Sequence, residues 1–443
     1  MRIAIVGAGI SGLATAFHLQ RLMPGCELVI FDPESNAGGT MQTAVREGFR
    51  FESGGNGFLT NKPDTLALVE AAGATDLLLR SSDLARKRFI FNGSMHRLPE
   101  SPPLFLKTRL ISLPAKLRVV GELFVPAKRD GAEESLRDFG YRRLGKAFTD
   151  VFLDAMVAGI YGSTPDKVCV NAAFPMVVDL EREYGGLFRG MFAKRKKEAG
   201  PGGALMSFKG GVGSFVEHLR SRITAEWRLG EGVTAIERQG KQYRLGTAGG
   251  VTDVDQVVIA APPHPASAML QPLDRELASR LSQIEASPIA VVGFGFRRLA
   301  HPLDGFGCLT TTAARQKAMG ILWDSSIFPD RAPEGCKSLR VMIGGQRSPE
   351  LVNQDEAGLI ATAREGLATA MGITDEPDVT FVKRWDRGIP SYTVGHVARV
   401  NDLFARVATH PGLHLNCNAY RGIALNDCTR NARELAERIA GSG

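Results

Sequence analysis

Apolar residues open the chain in one short run, Ile3-Ala4-Ile5-Val6, the pattern of a strand buried on both faces. Gly7-Ala8-Gly9-Ile10-Ser11-Gly12 follows at once. From about Ser11 to Leu22 the spacing turns helical, through Leu13, Ala16, Phe17 and Gln20, until Pro24-Gly25 breaks it. Glu27 to Phe31 reads as a second strand, closed by Asp32. The opening does not read as a secretory leader, because glycines interrupt the apolar stretch and no small-residue cleavage site follows.

Residues 98–199 change character: Pro99, Pro102, Pro103, Pro114 and Pro126 punctuate helical patterns such as Leu113, Leu117, Val120 and Phe124. Strand patterns return at Trp227 to Glu237, Gln256 to Ala260, Ile289 to Phe296, Leu339 to Ile343 and Val379 to Val382. Leu413-His414-Leu415, a turn rich in Asn and Gly, and a helix from about Asn426 to Ala440 close the chain. A nucleotide domain begun at the N-terminus is therefore finished at the C-terminus.

Strand, glycine turn, helix, strand and acid form the dinucleotide fingerprint, with Asp32 twenty residues beyond Gly12. Gly7 makes the tight turn, Gly9 lets a pyrophosphate reach the backbone, and Gly12 lets the helix pack on the strand. The helix N-terminus offers N–H donors to the phosphates, and Asp32 accepts from ribose hydroxyls. Gly38-Gly39-Thr40 and then Gly54-Gly55-Asn56 follow the acid. A glycine pair there points to FAD lying along this segment, since an NAD domain would pass straight into another strand–helix unit.

Composition narrows the field without choosing a reaction. With 44% hydrophobic and 23% charged residues, the chain is neither disordered nor membrane-spanning. The six cysteines contain no CxxC pair and read as reduced thiols of a cytosolic protein. A net charge of +7 suits an acidic small ligand or an anionic lipid surface. The basic run Lys194-Arg195-Lys196-Lys197 lacks interleaved aromatics and reads as a solvated loop, with no nucleic-acid partner. No nucleophile triad or metal-ligand spacing is present, and the eight histidines read as structural or surface groups.

Several motifs together resemble the protoporphyrinogen oxidases, FAD enzymes of haem synthesis within the amine-oxidase-like flavoprotein superfamily. They are Lys87-Arg88-Phe89-Ile90-Phe91, Leu98-Pro99 with Ser101-Pro102-Pro103, and Ala158-Gly159-Ile160-Tyr161-Gly162. Ala173-Phe174-Pro175, Gly305-Phe306-Gly307, Phe328-Pro329 and Val341 to Gly345 continue the series. Trp385 to Tyr392 with Gly395-His396, and Asn418 to Cys428, complete it.

The resemblance implies a mixed α/β and α+β fold in three parts. These are a glutathione-reductase-like, Rossmann-type FAD domain (1–83, 201–270, 401–443), a substrate domain on an antiparallel sheet (84–97, 271–400) and a helical cap (98–200) that touches the membrane in relatives. It implies the six-electron oxidation of protoporphyrinogen IX to protoporphyrin IX, with hydride passing to FAD and oxygen returning the flavin as hydrogen peroxide forms. Matched residue by residue, Gly7, Ala8, Gly9, Ile10, Ser11, Gly12, Asp32, Gly39, Thr40, Gly54, Gly55, Asn56, Gly57 and Val233 are expected at FAD. Trp385, Asn418, Ile423, Ala424 and Leu425 are expected there too. Arg88 is expected to hold a propionate, Gly159 to approach the macrocycle edge, and Phe306, Leu309 and Met342 to wall the ring. No protein side chain is assigned as catalytic, because the flavin carries the chemistry.

Three residues depart from the family pattern. Thr40 replaces a larger or basic residue, Gly55 stands for Pro, and Cys417 stands for a Gly before Asn418, where a Cβ could force a changed turn. Rival readings are coproporphyrinogen III oxidation to coproporphyrin III, another flavin amine or carotenoid oxidase, and a non-catalytic flavin- or porphyrin-binding protein. Leu104 to Val125 mixes apolar positions with Lys107, Arg109, Lys116 and Arg118. It reads first as a cap over the pocket and second as a weak, salt-sensitive contact with an anionic bilayer. The expected setting is cytoplasmic, peripheral to the cytoplasmic face of the cell membrane, with a homodimer left open.

Overall fold

The computed structural model describes residues 1–197 and 203–441. Its first layer is a five-stranded parallel sheet in the order Glu226–Leu229, Glu27–Asp32, Arg2–Val6, Gln256–Ile259, Leu413–Leu415. Strands from both ends of the chain thus lie in one sheet, and the fold is the mixed, Rossmann-type one. The helix Ile10–Leu22 packs against one face of it, with the closing helix Leu425–Gly441 alongside. Leu13, Phe17, Leu435 and Ile439 are buried together there.

The second layer is a seven-stranded sheet: Val379–Pro390, Ala286–Phe296, Lys337–Gly344, Ala318–Leu322, Gly307–Thr310, Arg88–Phe91, Met95–Arg97. It is antiparallel except where Gly307–Thr310 runs parallel to Arg88–Phe91. One face is sealed by the helix Glu356–Met371, which buries Val292, Phe294, Val341 and Ile343. Pairing register puts Ile90, Leu309, Gly320, Met342 and Val291 in one row on the other face. The neighbouring row on that face holds Arg88, Gly307, Leu322 and Arg340.

The third part is helical, from Pro102–Lys107 to Leu187–Lys197. Its core contains Phe139, Val157, Tyr161 and Leu180. An Arg347–Asp154 ion pair of 2.9 Å, mostly buried, fastens it to the seven-stranded sheet.

Three local expectations are corrected. Trp227 to Glu237 is two strands, broken at Gly230 (φ 76°), because Glu226–Leu229 joins the parallel sheet while Val233–Gln239 enters a separate antiparallel one. The run 194–197 belongs to the helix Leu187–Lys197 instead of forming a loop. Leu104 to Val125 is broken into the helices Pro102–Lys107 and Leu113–Val120 and a 3₁₀ turn; Phe105, Leu110, Ile111 and Ala115 pack with Ile90 and Leu309, while Leu106, Leu113, Leu117 and Phe124 face outward. Lys116 is buried, donating to the carbonyls of Leu106 and Thr108, and Arg118 donates to those of Arg142 and Arg143.

Candidate active site

The glycine turn sits at the carboxyl edge of the parallel sheet, where ligands of such sheets bind. Gly7 has φ 111°, and a Cβ there would lie 2.9 Å from the Ala260 backbone. A Cβ on Gly12 would lie 2.0 Å from the Gly7 carbonyl oxygen, so helix and turn touch only because glycine is present. The Gly38 N–H donates to Ala8 O at 2.8 Å, and Gly9 faces Gly39. The two glycine segments therefore lie side by side. The helix Ile10–Leu22 begins at Gly9 with no side-chain cap, which leaves its first N–H groups for an anion. Asp32 is buried and accepts from the N–H groups of Ala8 (2.7 Å) and Glu34 (2.9 Å); burial pushes its carboxyl up from the usual range. This donor set and glycine cradle fit a dinucleotide.

The remaining cofactor candidates converge on the same edge. Gly54 touches Thr40, since a Cβ would meet the Thr40 carbonyl at 2.6 Å. Gly55 has open space around it, and Thr40 is exposed. Gly57 instead packs against the Met206 backbone, a contact within the protein. Glu231 N–H donates to Asp32 O at 2.9 Å and brings the buried Val233 alongside. Trp385 donates its Nε1–H to Ser53 O at 2.7 Å. Beyond Leu415 the chain turns through Asn416 to Ala424, with Asn416 Nδ2 donating to Thr15 Oγ1 at 2.9 Å. Leu425 packs in the core that holds Ile10, while Ile423 packs on the core of the helical part. Cys417 is buried without a positive φ, which among the described residues falls outside glycine only at Glu47, Leu303 and Arg315. The turn accommodates its Cβ, and burial pushes the thiol up to about 12.

On the substrate side, Leu309 fills the space beside Gly159: a Cβ on Gly159 would lie 2.6 Å from Leu309 Cδ2. A Cβ on Gly320 would meet Leu309 at 2.9 Å and Met342 at 3.0 Å, so Gly159, Leu309 and Met342 converge. The Arg88 guanidinium lies 5.1 Å above the Phe306 ring and makes no ion pair among the described residues. Arg88, Leu309 and Met342 share the sheet face that also carries Trp385, turned toward the segment 52–56.

Sequence reasoning missed the buried charges between the two sheets. Arg340, 1% exposed, grips Asp324 at 2.6 and 3.0 Å, Asn56 Oδ1 at 2.6 Å and the Gly54 carbonyl at 3.2 Å. Glu52 pairs with Arg331 at 2.9 Å, accepts from Thr43 Oγ1 at 2.6 Å, and is pushed upward by burial. The available signal was a charge at a position of a strand otherwise reading as buried, Arg340 within Leu339 to Ile343 and Glu52 after Phe51.

Comparison with known proteins agrees with this architecture. The family described as flavin containing amine oxidoreductase matches residues 10–440. The coproporphyrinogen III oxidase of Bacillus subtilis (strain 168) is 27% identical over 96% of this chain and 95% of its own length. The chloroplastic protoporphyrinogen oxidase of Nicotiana tabacum is 29% identical over 99% of this chain and 85% of its own. A crystal structure from Exiguobacterium sp. 255-15, of a protein provisionally named protoporphyrinogen oxidase, superposes with a TM-score of 0.88. It is 27% identical, with 100% of this chain and 99% of that one covered.

Proposed function

The chain belongs to the flavin-containing amine oxidoreductases, with FAD as cofactor, and from that premise we propose that it oxidises protoporphyrinogen IX to protoporphyrin IX in haem synthesis, with oxygen as the final acceptor and hydrogen peroxide as by-product. The observation that carries the reading is one sheet face on which apolar Leu309 and Met342 stand with Arg88, whose guanidinium lies over Phe306 and makes no ion pair among the described residues. A flat tetrapyrrole has an apolar body to bury and propionates to anchor.

FAD, when bound, supplies the hydride acceptor. Gly7 to Gly12, Gly39 and Asp32 would hold its pyrophosphate and ribose; Thr40, Gly54 to Asn56, Val233, Trp385, Asn418 and Ile423 to Leu425 would line the rest. Leu309, Met342 and Phe306 exclude water from the ring, Gly159 admits Leu309 against it, and Arg88 fixes its direction. The division of the chain at 83, 97, 200, 270 and 400 into cofactor, substrate and cap parts belongs to this proposal. So does a cytoplasmic setting; no described helix is long and apolar enough to cross a membrane.

The second reading, coproporphyrinogen III, is favoured by the names of relatives in Bacillus subtilis and Staphylococcus aureus. Turnover of each porphyrinogen under air, read by porphyrin fluorescence with peroxide assayed alongside, decides. We expect the higher kcat/KM with protoporphyrinogen IX. Higher efficiency with coproporphyrinogen III transfers the assignment, and no turnover of either removes it.

A further inference from the structure

Tyr392 belongs to none of the candidate contacts, yet it ties three parts of the molecule together. Its side chain is 1% exposed in the core of the helical part. Its hydroxyl donates to the Asn418 carbonyl at 2.8 Å and accepts from the Gly422 N–H at 2.8 Å. Both ends of the turn 418–422 are thus held by one oxygen. Gly422 has φ 101°, a conformation with little local preference to keep it in place. The ring of His396 stacks on Tyr392 at 4.0 Å and 17°, and His396 Nε2 pairs with the Tyr420 carbonyl at 3.1 Å. On its other side Tyr392 is held by the cap: its carbonyl accepts from the Cys169 N–H at 2.7 Å, and Val168 bridges Thr393. Ile423, the next residue of the turn, packs on the same cap core.

We propose that Tyr392 is a positioning residue which, through its phenol oxygen, sets the turn 418–425 against the flavin and links that turn to the cap. The proposal rests on the reading that this turn lines the FAD site. Two facts of the fold support that reading: the turn leaves the carboxyl end of Leu413–Leu415, and Asn416 reaches Thr15 behind the glycine turn. Burial holds the Tyr392 hydroxyl protonated and His396 neutral, so both roles persist at neutral pH.

Tyr392→Phe tests it, because the ring and its stack remain while the oxygen goes. One carbonyl and one N–H lose their partner, which shifts an equilibrium held by the turn by roughly tenfold or more. We expect the folded variant, checked by its melting curve, to bind FAD about tenfold more weakly by flavin-fluorescence titration. With saturating FAD, kcat should fall while KM for porphyrinogen stays within twofold. Unchanged FAD affinity together with unchanged kcat overturns the proposal, as does a raised KM with unchanged kcat. Ala424→Glu is the control for the underlying reading. If it binds FAD like the native protein, the turn does not face the flavin and that reading fails. If it abolishes binding while Tyr392→Phe changes nothing, only the role of Tyr392 fails. His396→Phe, which keeps a stacked ring but loses the Tyr420 contact, should weaken FAD in the same direction; no effect in either variant overturns the linkage.

Discussion

Arg88 stacks on Phe306, and that contact sets what its guanidinium can do. A cation over a ring is held in a plane with its N–H fork still free, so it can take a carboxylate with both prongs. A charge-assisted bond of this kind is worth roughly 1.5–3 kcal/mol. Arg88→Ala is therefore expected to raise KM for porphyrinogen about 10- to 150-fold with normal FAD content. Arg88→Lys should recover part of the loss, because an ammonium lacks the planar fork. Steady-state kinetics on the holoenzyme read both, and an unchanged KM in Arg88→Ala would mean that the propionate anchor lies elsewhere. At this scale the sequence was legible wherever the backbone itself carries the function. Gly7, Gly9, Gly12 and Asp32 can be read in one dimension because their roles depend on near neighbours. Arg340, gripping Asn56 across 284 residues, could not be read this way, since its partners meet only after two sheets have packed.

Among the elements, the helical part departs furthest from its sequence pattern. Leu113, Leu117, Val120 and Phe124 keep helical spacing, but the stripe points to solvent, with Phe124 85% and Leu117 65% exposed. Periodicity identifies a face without saying which side the rest of the chain will cover. In the seven-stranded sheet Ile289 to Phe296, Leu339 to Ile343 and Val379 to Val382 were legible because their apolar runs lie between turn residues; Arg88–Phe91, Met95–Arg97, Gly307–Thr310 and Ala318–Leu322 were not read as strands, and Trp227 to Glu237 hid a change of sheet at Gly230. The exposed stripe changes the expected membrane behaviour. With Lys116 and Arg118 spent on backbone carbonyls, attraction to anionic vesicles should depend more on apolar insertion than on charge. Vesicle flotation should be weak in the native protein, and the double variant Leu117→Ser, Phe124→Ser should lose it at both low and high salt. Flotation retained by that variant would assign the contact to another surface.

For the molecule as a whole, partly buried histidines set an acid limit. Burial holds His18 and His414 down to about 4 from the usual 6.5, and lowers His301 and His396 as well. Below pH 6.5 the unfolded chain takes up protons at these sites while the folded chain does not, down to about 4, so stability falls as pH falls through that window and is level above it. Asp32 and Glu52, pushed upward by burial, act in the opposite sense, so the histidine share is the difference between native protein and a His18→Gln, His414→Gln variant. The native melting temperature should drop more steeply than that of the variant between pH 6.5 and 4.5. Parallel curves would mean that these two histidines do not contribute.

A different consequence follows from the edge strand Leu413–Leu415 and the closing helix Leu425–Gly441, which complete a sheet begun at Arg2. During synthesis residues 1–412 are made before Gln256–Ile259 gains its edge neighbour and Ile10–Leu22 its partner helix. Until then the apolar side of Ile10–Leu22 that meets Ala432, Leu435 and Ile439 stays open to water. Pairings so far apart in sequence close slowly, and an uncovered apolar side invites aggregation in the interval. The nascent chain therefore passes through a long interval in which holdase chaperones have a binding surface, which closes only once residues 413–441 have emerged.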